Sequence, residues 1–228
     1  MTLSPSTTTP LLRATGLARR DAKNGASLLN PTTFALLAGE RVTLTGPSGS
    51  GKSVFLRTLA LLDAPDAGSI QWRGNQIARS NIPSYRRHVA YIAQRPALLD
   101  GSVEDNMRYP FSLKTYRDLR FDRDRALQLA RLAGRSADFL DKRAYDLSGG
   151  EAQITALIRV LQLDPDVLLL DEPTASLDPA SALEIEALVN SWFSGRGPER
   201  ASVWVSHDPL QAMRVGSIQR VMTAGTLS

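Results

Sequence analysis

The chain has 228 residues, is 43% hydrophobic and 22% charged, and carries a formal net charge of +4, an ordinary globular composition that allows a sizeable buried core. It has no cysteine and only His88 and His207, which excludes disulfides and thiolate metal centres and argues against a histidine-built one, so any metal should be Mg²⁺ held by oxygen atoms. The opening MTLSPSTTTP lacks the basic start and apolar run of a leader, and no apolar run reaches the roughly 18 residues a membrane helix needs, which predicts a soluble, cytoplasmic chain.

Residues 1–10, rich in Thr, Ser and Pro, read as a disordered polar tail ahead of a single domain over 11–228. Leu11 to Leu17 and Phe34 to Leu37 are short apolar segments separated by Gly25, Asn30 and Pro31, the pattern of an antiparallel strand layer. Arg41 to Thr45 reads as a strand and Ser53 to Leu62 as a helix. Between them Gly46-Pro47-Ser48-Gly49-Ser50-Gly51-Lys52-Ser53 fits G-x-x-x-x-G-K-[ST] at every fixed position. Glycines leave room for backbone N–H groups to surround the α- and β-phosphates of a nucleotide, and the positive end of the following helix faces the anion. Lys52 would reach the β- and γ-phosphates, and the Ser53 hydroxyl would ligate Mg²⁺.

Ile70 to Trp72, with Gly74 and Asn75 as turn residues behind it, and His88 to Ala93 continue with strand character. From Pro96 to about Asp146 the pattern predicts helix, including Arg125 to Ala133, and an inserted helical subdomain is expected over about 96–160. Within it Arg108 to Arg143 holds ten Lys/Arg against five Asp, which suits either a solvated face or a surface near anionic lipid or acidic partner loops. Glu151 to Leu163 is apolar at helical spacing and is stopped by Pro165. Val167 to Leu170 and Ser202 to Val205 read as strands covered on both faces. Asp178 and Pro179 suit the N-cap and first position of a helix running to about Phe193. Ile218 to Leu227, with Gly225, can close the fold as a hairpin. The alternation predicts an α/β fold: a phosphate-loop NTPase core with a mostly parallel sheet, an N-terminal antiparallel β layer and the helical insert.

The buried strand VLLL ends in Asp171 and Glu172, and ligands of open α/β sheets bind at strand ends. Asp171 would orient the Mg²⁺ shell, directly or through water, while Glu172 would polarise the water attacking the γ-phosphate. Leu147-Ser148-Gly149-Gly150-Glu151 precedes a helix that Ser148 can cap.

The phosphate loop, Gln94 in YIAQRP, LSGGE, the Asp171-Glu172 pair, Asp178 and His207 in VSHD, in this order, resemble the ATP-binding subunit of ABC transporters over about Leu11 to Leu227. That resemblance implies ATP with Mg²⁺, a catalytic set of Lys52, Gln94, Glu172 and His207, and a metal shell of Ser53, Gln94 and Asp171. Gln94 would contact Mg²⁺ or the attacking water and link the site to the membrane partner, and His207 would contact the γ-phosphate. Ser148, Gly149 and Gly150 would bind the γ-phosphate held by a second copy, so a head-to-tail homodimer is implied, with Asp178 either at that interface or only an N-cap. An integral membrane permease is the implied partner, placing the chain peripherally at the inner face of the membrane. No direct nucleic acid is expected, because the stretch from Lys52 to Ser148 is too short for the coiled coil of DNA-repair relatives.

Three positions depart from the family pattern. No Phe, Tyr or Trp precedes Phe34 to stack on adenine, and at the aligned place LARRD offers only the guanidinium planes of Arg19 or Arg20. Ile154 replaces the common arginine after the signature, and Glu151 stands where glutamine is frequent. The segment YIAQRPALLDGSVEDNM resembles export-type members, most closely the small iron-export ATPases of the Fet type.

Overall fold

In a computed structural model of the protein, residues 9–196 and 199–228 are described. Most of the expected polar tail, residues 1–8, lies outside them.

Two sheets form because two kinds of strand are encoded. The first is antiparallel, in the order β2-β1-β4-β5, from β1 (Leu12–Arg20), β2 (Ser27–Leu36), β4 (Ala67–Trp72) and β5 (Asn75–Gln76). The second has the order β10-β9-β3-β8-β7-β6, from β3 (Arg41–Thr45), β6 (Val89–Ile92), β7 (Val167–Asp171), β8 (Ala201–Val205), β9 (Ile218–Thr223) and β10 (Thr226–Leu227). All its pairs are parallel except the closing hairpin of β9 with β10. β7 and β8 are buried along their whole length, as a strand covered on both faces must be. Their alternation divides the core. Val167 and Leu169 face one apolar cluster, shared with the antiparallel layer and helix α1 (Lys52–Leu59); Leu168, Leu170 and Trp204 face another. That second cluster is filled by α3 (Val103–Arg108), α4 (Arg123–Leu132), α5 (Gly149–Leu161) and α6 (Pro179–Arg196).

The α/β expectation therefore matches, and three local expectations are corrected. β2 runs straight through Asn30 and Pro31; it is an edge strand, where a residue without an N–H costs no ladder bond. A helix unforeseen in the sequence, α2 (Ile82–His88), precedes β6; only Tyr85 is buried on it, too little to create a helical period. Pro96 to Asp146 is less helical than expected. Besides α3 and α4 it contains four 3₁₀ turns, starting at Tyr109, Lys114, Ala137 and Ala144, which Pro110 and the short spacing of polar residues favour over longer helices.

Away from the phosphate loop, Asp166 joins both layers. Its buried carboxylate takes His88 Nδ1 at 2.7 Å, Arg73 at 3.5 Å and Arg196 at 3.6 Å, while the His88 ring stacks on Trp72 of the antiparallel layer. Burial opposes the ionised form, but the His88 hydrogen bond and the charges of His88, Arg73 and Arg196 outweigh it and hold the carboxyl below its ordinary pKa. Asp166→Asn should lower unfolding stability by about 2 kcal/mol in urea titrations near neutrality. Because the folded pKa is depressed, that difference is complete above the unfolded carboxyl pKa and should vanish as pH falls through the folded one.

Candidate nucleotide site

The phosphate loop links β3 to α1, as the strand-loop-helix reading required. Gly46 has φ 140°, and a Cβ there would stand 2.1 Å from the Met222 carbonyl; Gly51 has φ 103° and would collide with the Leu28 carbonyl at 2.7 Å. Only glycine fits either place, because the loop is pressed against β9 on one side and β2 on the other. The amides of Gly49, Gly51, Lys52 and Ser53 donate to no acceptor among the described residues, as expected of a helix start that offers its N–H groups to an anion. Lys52 is buried and its Nζ donates to the Gly46 and Pro47 carbonyls, both at 2.9 Å, so the ammonium spans the mouth of the loop. Burial pulls its pKa below the ordinary lysine value, opposed by the charges of Glu172 and Asp171.

Across from the loop, the end of β7 delivers the two carboxylates in different directions. Ser53 Oγ donates to Asp171 Oδ1 at 3.0 Å. These hard oxygens side by side suit Mg²⁺, which takes one or two protein ligands and completes its shell with water and phosphate. Glu172 has φ 48°, a left-handed conformation that costs a non-glycine residue on the order of 1–2 kcal/mol. The turn aims its carboxylate at two other groups: Oε2 accepts from Gln94 Nε2 at 3.1 Å and Oε1 meets His207 Nε2 at 2.6 Å. Gln94 thus lies against Glu172 and forms no hydrogen bond with Ser53 or Asp171, the pair with which it was expected to share a metal.

Leu147 to Glu151 stand elsewhere, at the start of α5. Ser148 Oγ accepts from the Glu151 amide at 3.2 Å and Glu151 Oε2 from the Ser148 amide at 3.0 Å, a reciprocal cap that Lys142 reinforces through Glu151 at 2.7 Å. No hydrogen bond among the described residues joins 147–151 to the phosphate loop. Asp178 does act as a cap of α6, accepting from the Ser181 amide at 3.0 Å and the Ser181 hydroxyl at 2.7 Å. Ser181 in turn sits under the signature: a Cβ on Gly150 would meet its Oγ at 2.5 Å. Ile154 is fully buried in the helical cluster, which accounts for an apolar residue at that position.

Tyr91 was not foreseen. Its hydroxyl donates to Asp171 Oδ2 at 2.8 Å, so the carboxylate is fixed by Ser53 on one oxygen and Tyr91 on the other. The available signal was a tyrosine within the strand segment His88 to Ala93, whose hydroxyl needs a partner once the ring is packed. Of the two arginines offered for base stacking, Arg19 is engaged by the Ala64 carbonyl and Asp66, whereas the Arg20 side chain is exposed and makes no hydrogen bond among the described residues, its amide donating to Asp66 at 2.7 Å.

Residues 29–175 match the ABC transporter family. Protein STAR1 of Oryza sativa subsp. japonica is 38% identical over 216 residues, covering 95% of this chain; the chain spans 61% of that relative's length. The probable iron export ATP-binding protein FetA of Escherichia coli K12 is 36% identical over 183 residues, 80% of this chain and 79% of its own. Phosphate import ATP-binding protein PstB 2 of Natronomonas pharaonis is 37% identical over 204 residues, 84% and 70% respectively. In fold, the chain is similar to a dimeric ATP-binding cassette solved in a post-hydrolysis state with ADP and Pi, at TM-score 0.81 and 24% identity over 95% of this chain and 96% of that one.

Proposed function

The chain belongs to the ABC transporter ATP-binding family, whose members hydrolyse ATP to power transport, and from that premise we propose that two copies clamp two ATP molecules head to tail. The observation carrying this reading is the division of the site. Lys52, Ser53, Asp171, Glu172, Gln94 and His207 converge within one copy, while Ser148, Gly149 and Gly150, with exposed backbone at Gly149, remain apart at a helix start able to take an anion. Mg²⁺, when bound by Ser53 and Asp171, neutralises phosphate charge. The loop amides and Lys52 orient the triphosphate, Glu172 accepts the proton of the attacking water, and His207 and Gln94 hold Glu172 toward it.

The test mixes two inactive chains. Lys52→Ala cannot hold ATP yet presents an intact signature; Ser148→Arg holds ATP and presents none. A mixture contains dimers with one complete site, so ATP turnover should reappear on mixing. No recovery, with both variants folded and dimerising, would reject the shared site.

The work of hydrolysis is assigned to a separate permease at the inner face of a membrane; no helix of the described residues is long and apolar enough to cross one. Export, of iron as in the name of FetA, is the direction favoured by the segment following Gln94. The comparable identity to a phosphate import subunit supports a reading in which cargo choice lies in the permease, and identifying the membrane protein that co-purifies with the chain tests it.

A further inference from the structure

The residues that set Glu172 and His207 face to face lie on two different segments. Glu172 follows β7 and is continued by Pro173 and Thr174; His207 follows β8 and is preceded by Ser206, ahead of α7 (Pro209–Val215). Nothing in the chain's covalent path fixes the gap between those segments. The β7–β8 ladder holds them as far as the Asp171–Val205 pair, and beyond it one side chain bridges them.

Gln211, on α7 and 6% exposed, lies between them with its amide fully used. Its Nε2 donates to Thr174 Oγ1 at 2.9 Å and to Glu186 Oε1 at 2.9 Å; its Oε1 accepts from Ser206 Oγ at 2.8 Å. Thr174, Ser206 and Glu186 are themselves buried. Glu186 anchors the strut to α6 and is held by Arg214 at 2.9 and 3.0 Å. Ser206 Oγ also accepts from the Asp208 amide at 3.0 Å, so the bond from Ser206 to Gln211 braces the turn on which His207 stands. Beyond the strand ladder, the segments that carry His207 and Glu172, 2.6 Å apart, are thus joined by a buried amide that touches neither group.

We infer that Gln211 is a positioning residue for ATP hydrolysis, fixing the separation of the Glu172 and His207 segments through Thr174 and Ser206, a role that rests on the reading of those two groups given above. A buried network with every donor and acceptor satisfied is rigid, and loss of one member leaves the others unpaired. The segments would then be free to shift relative to each other, and a displacement of about 1 Å at reacting groups is enough to cost around 100-fold in rate.

Gln211→Met keeps the volume and removes both hydrogen-bonding ends. It should lower kcat for ATP by about 10- to 100-fold with KM changed less than about twofold, because the phosphate loop does not touch the network. Gln211→Glu keeps the acceptor for Ser206 and can share a proton with Glu186, so it should restore most of the lost kcat. Ser206→Ala, which leaves the core volume almost untouched, provides a second route if Gln211→Met fails to fold, and should lower kcat in the same direction. A folded Gln211→Met or Ser206→Ala chain with wild-type kcat overturns the assignment, as does a Gln211→Glu chain no better than Gln211→Met. Glu172→Gln is measured in parallel. Should that variant retain turnover, the reading of the site itself has failed; should it be inactive while Gln211→Met is fully active, only the positioning role has.

Discussion

Glu172→Gln should bind ATP and fail to turn it over. The substitution keeps the length and shape of the side chain, so the Gln94 and His207 contacts at 3.1 and 2.6 Å retain partners, yet an amide cannot accept the proton of an attacking water. Removing such a base lowers kcat by about 10²- to 10⁴-fold. Nothing in the phosphate loop changes, so nucleotide affinity should stay near that of the unaltered chain. Under the shared-site reading the trapped ATP holds two copies together, and size-exclusion chromatography with light scattering should show an ATP-dependent dimer that persists. Undiminished hydrolysis in this variant would remove Glu172 from its assigned role.

The second large effect is expected at Lys52. The residue is 4% exposed, and its ammonium spans the loop between two carbonyls within the fields of Asp171 and Glu172. When a triphosphate is present, the lysine is the charge best placed to meet it. Charge-assisted hydrogen bonds of this kind are worth about 1.5–3 kcal/mol each, so Lys52→Ala should weaken ATP binding by more than about 100-fold. Isothermal titration would register the loss directly. A thermal-shift measurement gives the same information through linkage: ATP should raise the Tm of the unaltered chain and leave the variant's unmoved. Equal ATP-dependent shifts in the two chains would contradict the loop assignment.

These two residues were legible in the sequence for a physical reason. A phosphate loop is made from contiguous residues, and its glycines are required by local backbone geometry, so Gly46 to Ser53 carry their own explanation. Asp171 and Glu172 were legible because the carboxylates end a buried strand behind a phosphate loop; without that loop the pair reads equally well as a helix cap. Long-range side-chain contacts were not. The bonds of Tyr91 to Asp171 and of Gln211 to Thr174 join residues far apart in the chain, and nothing local announces them. The helix at Ile82–His88 and the 3₁₀ turns between Tyr109 and Asp146 were missed because short elements with at most two buried residues generate no period. Gln94 was read by likeness to a family as meeting Mg²⁺ or the attacking water; its bond to Glu172 is a further long-range contact that the sequence did not announce.

The back wall of the phosphate loop is built from remote chain. Gly46 rests on the carbonyl of Met222, the Gly225 amide donates to the Ser50 carbonyl at 2.8 Å, and β3 draws its neighbour β9 from 175 residues downstream. The phosphate loop is therefore synthesised long before the strand that shapes it. A nascent or truncated polypeptide ending short of β9 would contain the entire motif and still lack the mould that sets it.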